Sequence, residues 1–174
     1  METAAPVSVE EYLRTCYEPK CEYVDGVLFP KPMPTWEHAL LQVWVAGLIM
    51  RLFPRFAAGA EVHSKLRETE YRLPDISVDY REKARGYAEE PIYLAVEILS
   101  PDERIGKTLA KCELYHDWGV PYCWVLDPIE RRAWSYAKGG LPNETSALEA
   151  GEITLTAEQI FSILDRSPQT AGHP

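Results

Sequence analysis

A carboxylate inside an apolar stretch is the most unusual chemical feature of this sequence. Glu97 interrupts residues 94–99, which are otherwise apolar and are predicted to form a strand buried on both faces. A buried carboxylate without a partner is costly, so it normally pairs with a cation, binds a metal or takes up a proton. An exposed strand end or an arginine partner would explain Glu97 equally well. For this residue alone, a functional role and a purely structural role are therefore equally favoured.

A second carboxylate, Asp75, follows Pro74 at the start of another strand-like segment. An isolated Pro-Asp pair is more typical of an aspartate that caps a turn. Two carboxylates on adjacent strands are different, because Mg²⁺ uses one or two carboxylates together with waters and phosphate oxygens. We therefore expect Asp75 and Glu97 to hold Mg²⁺ or Mn²⁺, with the backbone carbonyl of Ile98 as a further ligand.

Other polar residues could serve the same site. Lys111 is predicted to share a helix face with Tyr115, and it is either a solvated lysine or a cation directed at the scissile phosphate or the attacking water. Lys107, one turn earlier, could add positive potential or be solvated. Glu37 and His38 are accessory candidates, although a surface pair or a satisfied core histidine is the favoured interpretation. Tyr115 is expected to build the core.

The elements that must position these residues alternate between helices and strands. Ser8 and Glu11 have the spacing of a capping box, which predicts a short first helix. The Asp-Gly pair at residues 25–26 predicts a hairpin, and residues 35–53 are predicted to form a mostly buried helix. The remaining predicted strands are residues 57–66, 71–80, 93–99 (the central one), 121–126, 132–136 and a short one near 153.

Two further helices complete the predicted fold. Ser100 and Glu103 have capping-box spacing, and with Pro101 at the first helical position they predict a helix that runs to Trp118. A loop is predicted over residues 137–151 and a last helix over 156–164. The alternation predicts an α/β or α+β fold with a mixed β-sheet. We expect one domain over residues 1–166 and a frayed tail over 167–174.

Bulk properties narrow the class of protein. The 174 residues suit one domain, and the net charge of −9 argues against a generic nucleic-acid binder, although a metal can reverse the local potential. The four cysteines form no metal or disulfide pattern and are expected to be reduced thiols. The longest apolar run, residues 39–50, is too short to span a membrane, and no secretion signal is evident, so we expect a cytoplasmic protein.

Several short motifs occur in a fixed order along most of the chain. They are residues 22–26 (EYVDG), 37–38 (EH), 74–78 (PDISV), 96–101 (VEILSP), 111–115 (KCELY), 119–121 (GVP) and 124–128 (WVLDP). Each motif is weak singly, but in this order the set resembles a known family. The superfamily is that of the PD-(D/E)XK nucleases, and within it the chain resembles the restriction endonuclease family that is abundant in cyanobacteria and was formerly a domain of unknown function.

The resemblance implies a restriction-endonuclease-like fold, in which helices flank a mixed central β-sheet. Asp75 matches the aspartate of the PD element and Glu97 matches the acidic residue of the (D/E)XK element. Leu99 occupies the place of the usual lysine, and Lys111 matches a lysine displaced to the following helix. The family's aspartate before that helical lysine is absent, and Lys107 lies near its place.

These observations predict a metal-dependent endonuclease that hydrolyses DNA phosphodiester bonds. The metal at Asp75 and Glu97 would lower the pKa of a water that attacks phosphorus, and Lys111 would orient that water. Two alternatives stay open. One is a nuclease-fold binding or assembly protein with little or no activity, which the acidic charge favours, and the other is a hydrolase of small phosphoesters. A homodimer is a further possibility, because one such domain cuts one strand.

Overall fold

Helices and strands alternate along the chain, which is described here by a computed structural model over residues 6–101 and 103–165. The predicted frayed tail, residues 167–174, lies outside the described residues. In the described part the helices are α1 (Val9–Arg14), α2 (Trp36–Leu52), α3 (Ile105–Trp118) and α4 (Ala157–Phe161), which continues into a 3₁₀ helix (Ser162–Asp165).

The strands of the described residues form two sheets and a separate hairpin. They are β1 (Cys21–Val24), β2 (Val27–Pro30), β3 (Phe56–Ala60), β4 (Ser64–Arg67), β5 (Glu70–Arg72), β6 (Ile76–Tyr80), β7 (Leu94–Ile98), β8 (Tyr122–Asp127), β9 (Arg132–Tyr136), β10 (Asn143–Glu144), β11 (Ala147–Ala150) and β12 (Ile153–Thr156).

The larger sheet is mixed and has the strand order β10-β9-β8-β7-β6-β3. Strands β7 and β8 are parallel, whereas the other neighbours are antiparallel. Alternate residues of β7 point to opposite faces. Leu94 and Val96 join the core beneath α2 and α4, and Ala95 joins the core beneath α3. The expectation of a mixed sheet flanked by helices, with the 93–99 strand at its centre, is confirmed.

The smaller sheet has the order β2-β1-β5-β4 and is antiparallel. The predicted hairpin joins β1 to β2 through Asp25 (φ 48°) and Gly26 (φ 88°), and two positive φ values are what a type I′ turn requires. The predicted first helix, α1, is also confirmed, because Ser8 Oγ accepts a hydrogen bond from the Glu11 N–H at 3.1 Å. Its Tyr12 packs on Tyr23 of β1.

Two segments predicted as single strands are each divided between the two sheets. Residues 57–66 contain parts of β3 and β4, which are separated at Glu61, whose φ is 51°. Residues 71–80 contain part of β5 and all of β6, and Pro74 lies in the gap, where it has no N–H to donate to a ladder. Asp75 therefore lies where the chain passes from the small sheet into the mixed sheet.

The start of α3 and the loop over residues 137–151 were predicted wrongly. The Glu103 N–H bonds to the Ser100 carbonyl at 2.9 Å in a turn, and Arg104 is extended (φ −77°, ψ 129°), so α3 begins at Ile105 and not at Pro101. Asp102 lies outside the described residues. The helix ends as predicted at Gly119, which is left-handed (φ 114°). The predicted loop contains β10 and β11, whose two and four residues are too few for alternation to reveal.

Helix α2 has the predicted position and the predicted cap, since Thr35 Oγ1 accepts from the His38 N–H at 3.3 Å. The prediction that it is mostly buried is wrong. Leu41, Val45 and Ile49 are fully buried, but one face of the helix is open to solvent. Among the described residues, no helix combines the length and the apolar character that crossing a membrane requires.

Candidate active site

The pairing of β6 with β7 brings Asp75 and Glu97 to one place. Ile76 pairs with Val96 in the antiparallel ladder, so Asp75 lies at the end of β6 that is next to Glu97 and Ile98. The Ile98 N–H donates to Asp75 Oδ2 at 2.7 Å. Both carboxylates are buried. The strand register therefore fixes the relative position of the two acids.

Helix α3 supplies the partners of Glu97. The Tyr115 hydroxyl donates to Glu97 Oε1 at 2.6 Å, and Lys111 Nζ lies 3.4 Å from Glu97 Oε2. The two residues are one turn apart and share the inner face of α3, as their spacing predicted. Lys111 Nζ is closer to Glu22 Oε1 on β1, at 3.0 Å. Lys111 is therefore shared between two carboxylates.

Asp75 has a different set of partners. Lys31 Nζ donates to Asp75 Oδ1 at 2.7 Å and to the Leu73 carbonyl at 2.9 Å. His38 Nε2 lies 3.4 Å from Asp75 Oδ2, and its buried Nδ1 has no hydrogen-bond partner among the described residues. Gln42 donates to the Asp75 carbonyl at 2.7 Å. Asp75 thus has one full cation, a histidine and a backbone N–H beside it.

These surroundings shift the pKa values of the two carboxylates in opposite directions. Burial acts to raise the pKa of Asp75, but His38 and Lys31 beside it hold that pKa well below its usual range. Burial raises the pKa of Glu97 to about 7, and Lys111 opposes this only in part while the charge of Asp75 adds to it. Burial lowers the pKa of Lys111, but Glu97 and Glu22 outweigh it and raise that pKa. Glu97 is therefore the carboxylate whose charge is least compensated.

The carboxylates line a cavity of about 330 Å³ that opens to solvent. Of the accessory candidates, His38 lines the cavity, and Lys107 lies at its mouth with its side chain 72 % exposed. Glu37 points to solvent and does not line it. The cavity is lined by Glu22, Phe29, Pro30, Lys31, Pro32, Pro34, His38, Glu61, Arg72, Asp75, Glu97, Ile98, Ser100, Glu103, Lys107, Ala110, Lys111 and Leu114.

Several charged or hydroxylated residues of the site were not singled out as site residues in the sequence, and four of them contact the two acids or their partners. Lys31 reaches Asp75, and Arg72 bonds to Glu22 Oε2 at 3.1 Å and to Glu70 Oε1 at 2.7 Å. Glu22 lay in a motif that supported the family resemblance, which was the one signal available for it. Tyr115 was expected in the core, and its ring is indeed there, with its hydroxyl on Glu97.

The donor atoms fit a hard divalent cation. Two buried carboxylates from neighbouring strands face one cavity, and Mg²⁺ is commonly bound by one or two carboxylates, with waters and phosphate oxygens completing its shell. Among the described residues, no group of three or more His, Cys, Asp or Glu is arranged to hold a metal. A divalent cation held here would therefore take most of its ligands from water or a bound phosphate.

A mixed sheet flanked by helices, with one acidic residue on a central strand and another directly before the neighbouring strand, places the chain in the restriction-endonuclease-like class of folds. The chain belongs to the Uma2 family, whose description is "Putative restriction endonuclease" and whose family model matches residues 9–165. It is similar to a crystal structure of "a putative nuclease belonging to DUF820 from Anabaena variabilis ATCC 29413", with a TM-score of 0.74 and 25% sequence identity over 91% of this chain and 99% of that chain. A search of the curated proteins found no match.

Proposed function

We propose that this nuclease-family protein is a metal-dependent endonuclease that hydrolyses DNA phosphodiester bonds. The observation that carries the proposal is the placement of Asp75 and Glu97 in one cavity, with Lys111 beside Glu97. A phosphodiester in that cavity would meet a pair of acids suited to a divalent cation and a lysine that can contact a phosphoryl oxygen. Asp75, Glu97 and Lys111 are the proposed catalytic residues.

Asp75, Glu97 and the backbone carbonyl of Ile98 would hold the ion. Continuing the register of β6 and β7 by two residues sets Pro74 opposite Ile98, and proline has no N–H to occupy that carbonyl. When bound, Mg²⁺ or Mn²⁺ would supply a Lewis acid for the phosphate and lower the pKa of a nearby water. The Ile98 N–H and the Tyr115 hydroxyl keep the two carboxylates oriented.

The lysines of the cavity have distinct roles in this proposal. Lys111 donates to the water or to a phosphoryl oxygen and stabilises the negative charge that develops there. Lys31 neutralises Asp75 when no divalent cation is bound, because its ammonium lies 2.7 Å from Asp75 Oδ1. A divalent cation at Asp75 would compete with that ammonium, and Lys31 would then be free to contact the phosphate.

The overall charge of −9 does not describe the mouth of the cavity. Lys107 and Arg104 are exposed at the first turn of α3, and Lys107 lines the cavity. The N-terminal end of a helix carries partial positive charge, which favours phosphate groups. Glu103 Oε1 lies 3.8 Å from the Lys107 ammonium and offsets part of this charge, so a strand of DNA would meet a mouth of mixed charge and not a uniformly acidic one.

Cleavage assays with isosteric variants test the proposal. Asp75→Asn and Glu97→Gln should abolish cleavage that depends on Mg²⁺ or Mn²⁺, because each removes a ligand charge with little change in volume. Glu130→Gln is the matched control, since Glu130 is an exposed acid in the turn after β8. If either site variant cut DNA as well as the parent, the assignment of the site would fail.

The main rival is a nuclease-fold binding or assembly protein without activity. One observation favours it, namely that Lys31 and Lys111 already neutralise much of the charge of the two acids. Calorimetric titration with Mn²⁺ separates the two functions, since the proposal requires binding that Asp75→Asn removes. A substrate panel of supercoiled, linear and single-stranded DNA beside small phosphoesters separates an endonuclease from the second rival, a small-phosphoester hydrolase.

A further inference from the structure

Helix α2 exposes a continuous apolar stripe. Trp36 is 79 % exposed and Val43 is 73 % exposed, and Leu40 and Met50 are open to solvent in smaller part. With Gly47, these residues recur at alternating intervals of four and three, which is the spacing of the apolar seam of a coiled coil. We name Trp36, Leu40, Val43, Gly47 and Met50 the α2 stripe.

The α2 stripe is separate from the candidate active site. His38 lines the cavity from the opposite side of α2, and Leu41 and Val45 on that side are buried in the core. A row of exposed large apolar side chains along one helix is a feature of interaction surfaces and not of ordinary protein surface. The stripe therefore indicates an interaction surface that is distinct from the candidate active site.

We propose that the α2 stripe is a homodimer interface, in which α2 packs antiparallel on α2 of a second copy about a two-fold axis near Val43. A two-fold axis makes the stripe contact itself, so the stripe must be self-complementary. In this arrangement Trp36 faces Met50 of the partner subunit, and Leu40 faces Gly47 of the partner subunit. A Cβ at Gly47 would meet nothing within 4 Å in this chain, so there is open space for the opposing leucine.

The charges of α2 select the antiparallel arrangement. Glu37 and Arg51 are the acidic and basic residues of this helix, and both are exposed. Each directly follows a stripe residue, so the two side chains flank the stripe on the same side. An antiparallel pair places Glu37 beside Arg51 of the partner subunit, and the two-fold symmetry generates this ion pair twice. A parallel pair would leave Glu37 distant from Arg51 of the partner subunit and would align the helix dipoles unfavourably.

The size of the stripe sets the expected affinity. One pair of helices buries less surface than a standard protein interface, and contacts below about 1,200 Å² are typical of weak complexes. We therefore expect a dimer that dissociates in the micromolar range. Sedimentation velocity of the full chain across that range should show a shift from monomer to dimer as the concentration rises.

A charge at the proposed two-fold axis tests the interface directly. Val43→Glu should weaken dimerisation at least about 100-fold, because the symmetry would bury two facing carboxylates in an apolar contact. Glutamate is a good helix former and Val43 is exposed, so the variant should keep the thermal midpoint that the parent has at concentrations where the parent is monomeric. Ile129→Glu is the matched control, since Ile129 is 56 % exposed in a turn far along the chain from α2, and it should dimerise like the parent.

Charge reversal tests the direction of the helices. Glu37→Lys alone and Arg51→Glu alone should each weaken the dimer, and the double variant should restore it because the two interchain pairs are re-formed with opposite sign. A parent chain that stays monomeric throughout the concentration range would overturn the proposal. A dimer that survives Val43→Glu would place the interface elsewhere and would overturn it too, and failure of the double variant to recover would overturn the antiparallel arrangement.

Discussion

Replacing Lys31 with methionine tests whether a lysine acts as the internal counter-ion of the site. The Lys31 ammonium donates to Asp75 Oδ1 at 2.7 Å and to the Leu73 carbonyl at 2.9 Å, and its side chain is only 10% exposed. Methionine has a similar length and keeps the apolar contacts of the stem. The substitution therefore removes the charge and the hydrogen bonds and leaves the packing largely unchanged.

Two effects of opposite sign are expected. Removing one member of a buried ion pair costs about 3–5 kcal/mol, and Asp75 keeps the Ile98 N–H and the nearby His38, so we expect a loss near the lower end, about 3 kcal/mol, in metal-free protein. The affinity for Mn²⁺ should rise, because a competing charge is gone from the carboxylate. A unit charge about 4 Å away contributes about 4 kcal/mol at an effective dielectric constant of about 20, so at least a tenfold gain is expected.

Urea unfolding in the presence of a chelator measures the first effect, and calorimetric titration with Mn²⁺ measures the second. Lys20→Met is the control, because Lys20 pairs with Glu61 at 2.9 Å on the surface, where its side chain is 51% exposed. That variant should change the free energy of unfolding by less than about 1 kcal/mol. If Lys31→Met were as stable as the parent and bound Mn²⁺ no more tightly, Lys31 would not be the counter-ion of Asp75.

Three further predictions concern single residues. Burial raises the pKa of Glu97 to about 7 from 4.5, so between these pH values the folded state binds a proton that the unfolded state has lost. The free energy of unfolding should therefore fall by about 3 kcal/mol as the pH rises from about 4.5 to about 7. Urea unfolding of the metal-free protein measures this slope, and Glu97→Gln should lack it. Tyr115→Phe should lower the DNA cleavage rate, and the Mn²⁺ affinity measured by calorimetry, because Glu97 Oε1 loses its 2.6 Å hydrogen bond, whereas Tyr87→Phe, which alters an exposed tyrosine, should not. Gly26→Ala should lower the thermal midpoint, because φ is +88° and a Cβ would lie 2.6 Å from Pro6 Cβ.

Local sequence signals predicted the centre of the fold. The apolar run over residues 94–99 and the Asp-Gly turn at 25–26 each depend on neighbouring residues alone, and both elements are present. Glu97 was conspicuous because it interrupts that run. Asp75 gained meaning from its expected strand neighbour and from the family resemblance. The sheet register shows why the pairing is geometrically possible, because it places the two residues side by side.

The charged network around the acids could not be predicted from local sequence. Arg72 and Glu22 are 50 positions apart and meet only because β5 pairs with β1 in the small sheet. Lys31 and Asp75 are 44 positions apart and meet only where the small sheet adjoins the mixed sheet. The predicted burial of helix α2 was wrong for a different reason. It is apolar on all sides, and such a helix is predicted to be buried on all sides, so the sequence does not reveal which face is exposed.

The candidate site is built so that its stability and its affinity for a metal oppose each other. Lys31 and Lys111 let the fold hold the buried carboxylates of Asp75 and Glu97 without a metal, and the same ammonium groups repel a divalent cation. The charge of Glu97 is the less well neutralised of the two, because Lys111 is closer to Glu22. A cation that enters the cavity gains most at Glu97, where charge is least compensated, and must displace or tolerate Lys31 at Asp75. The two acids are therefore unequal ligands, and substitution of Glu97 should reduce metal affinity more than an equivalent substitution of Asp75.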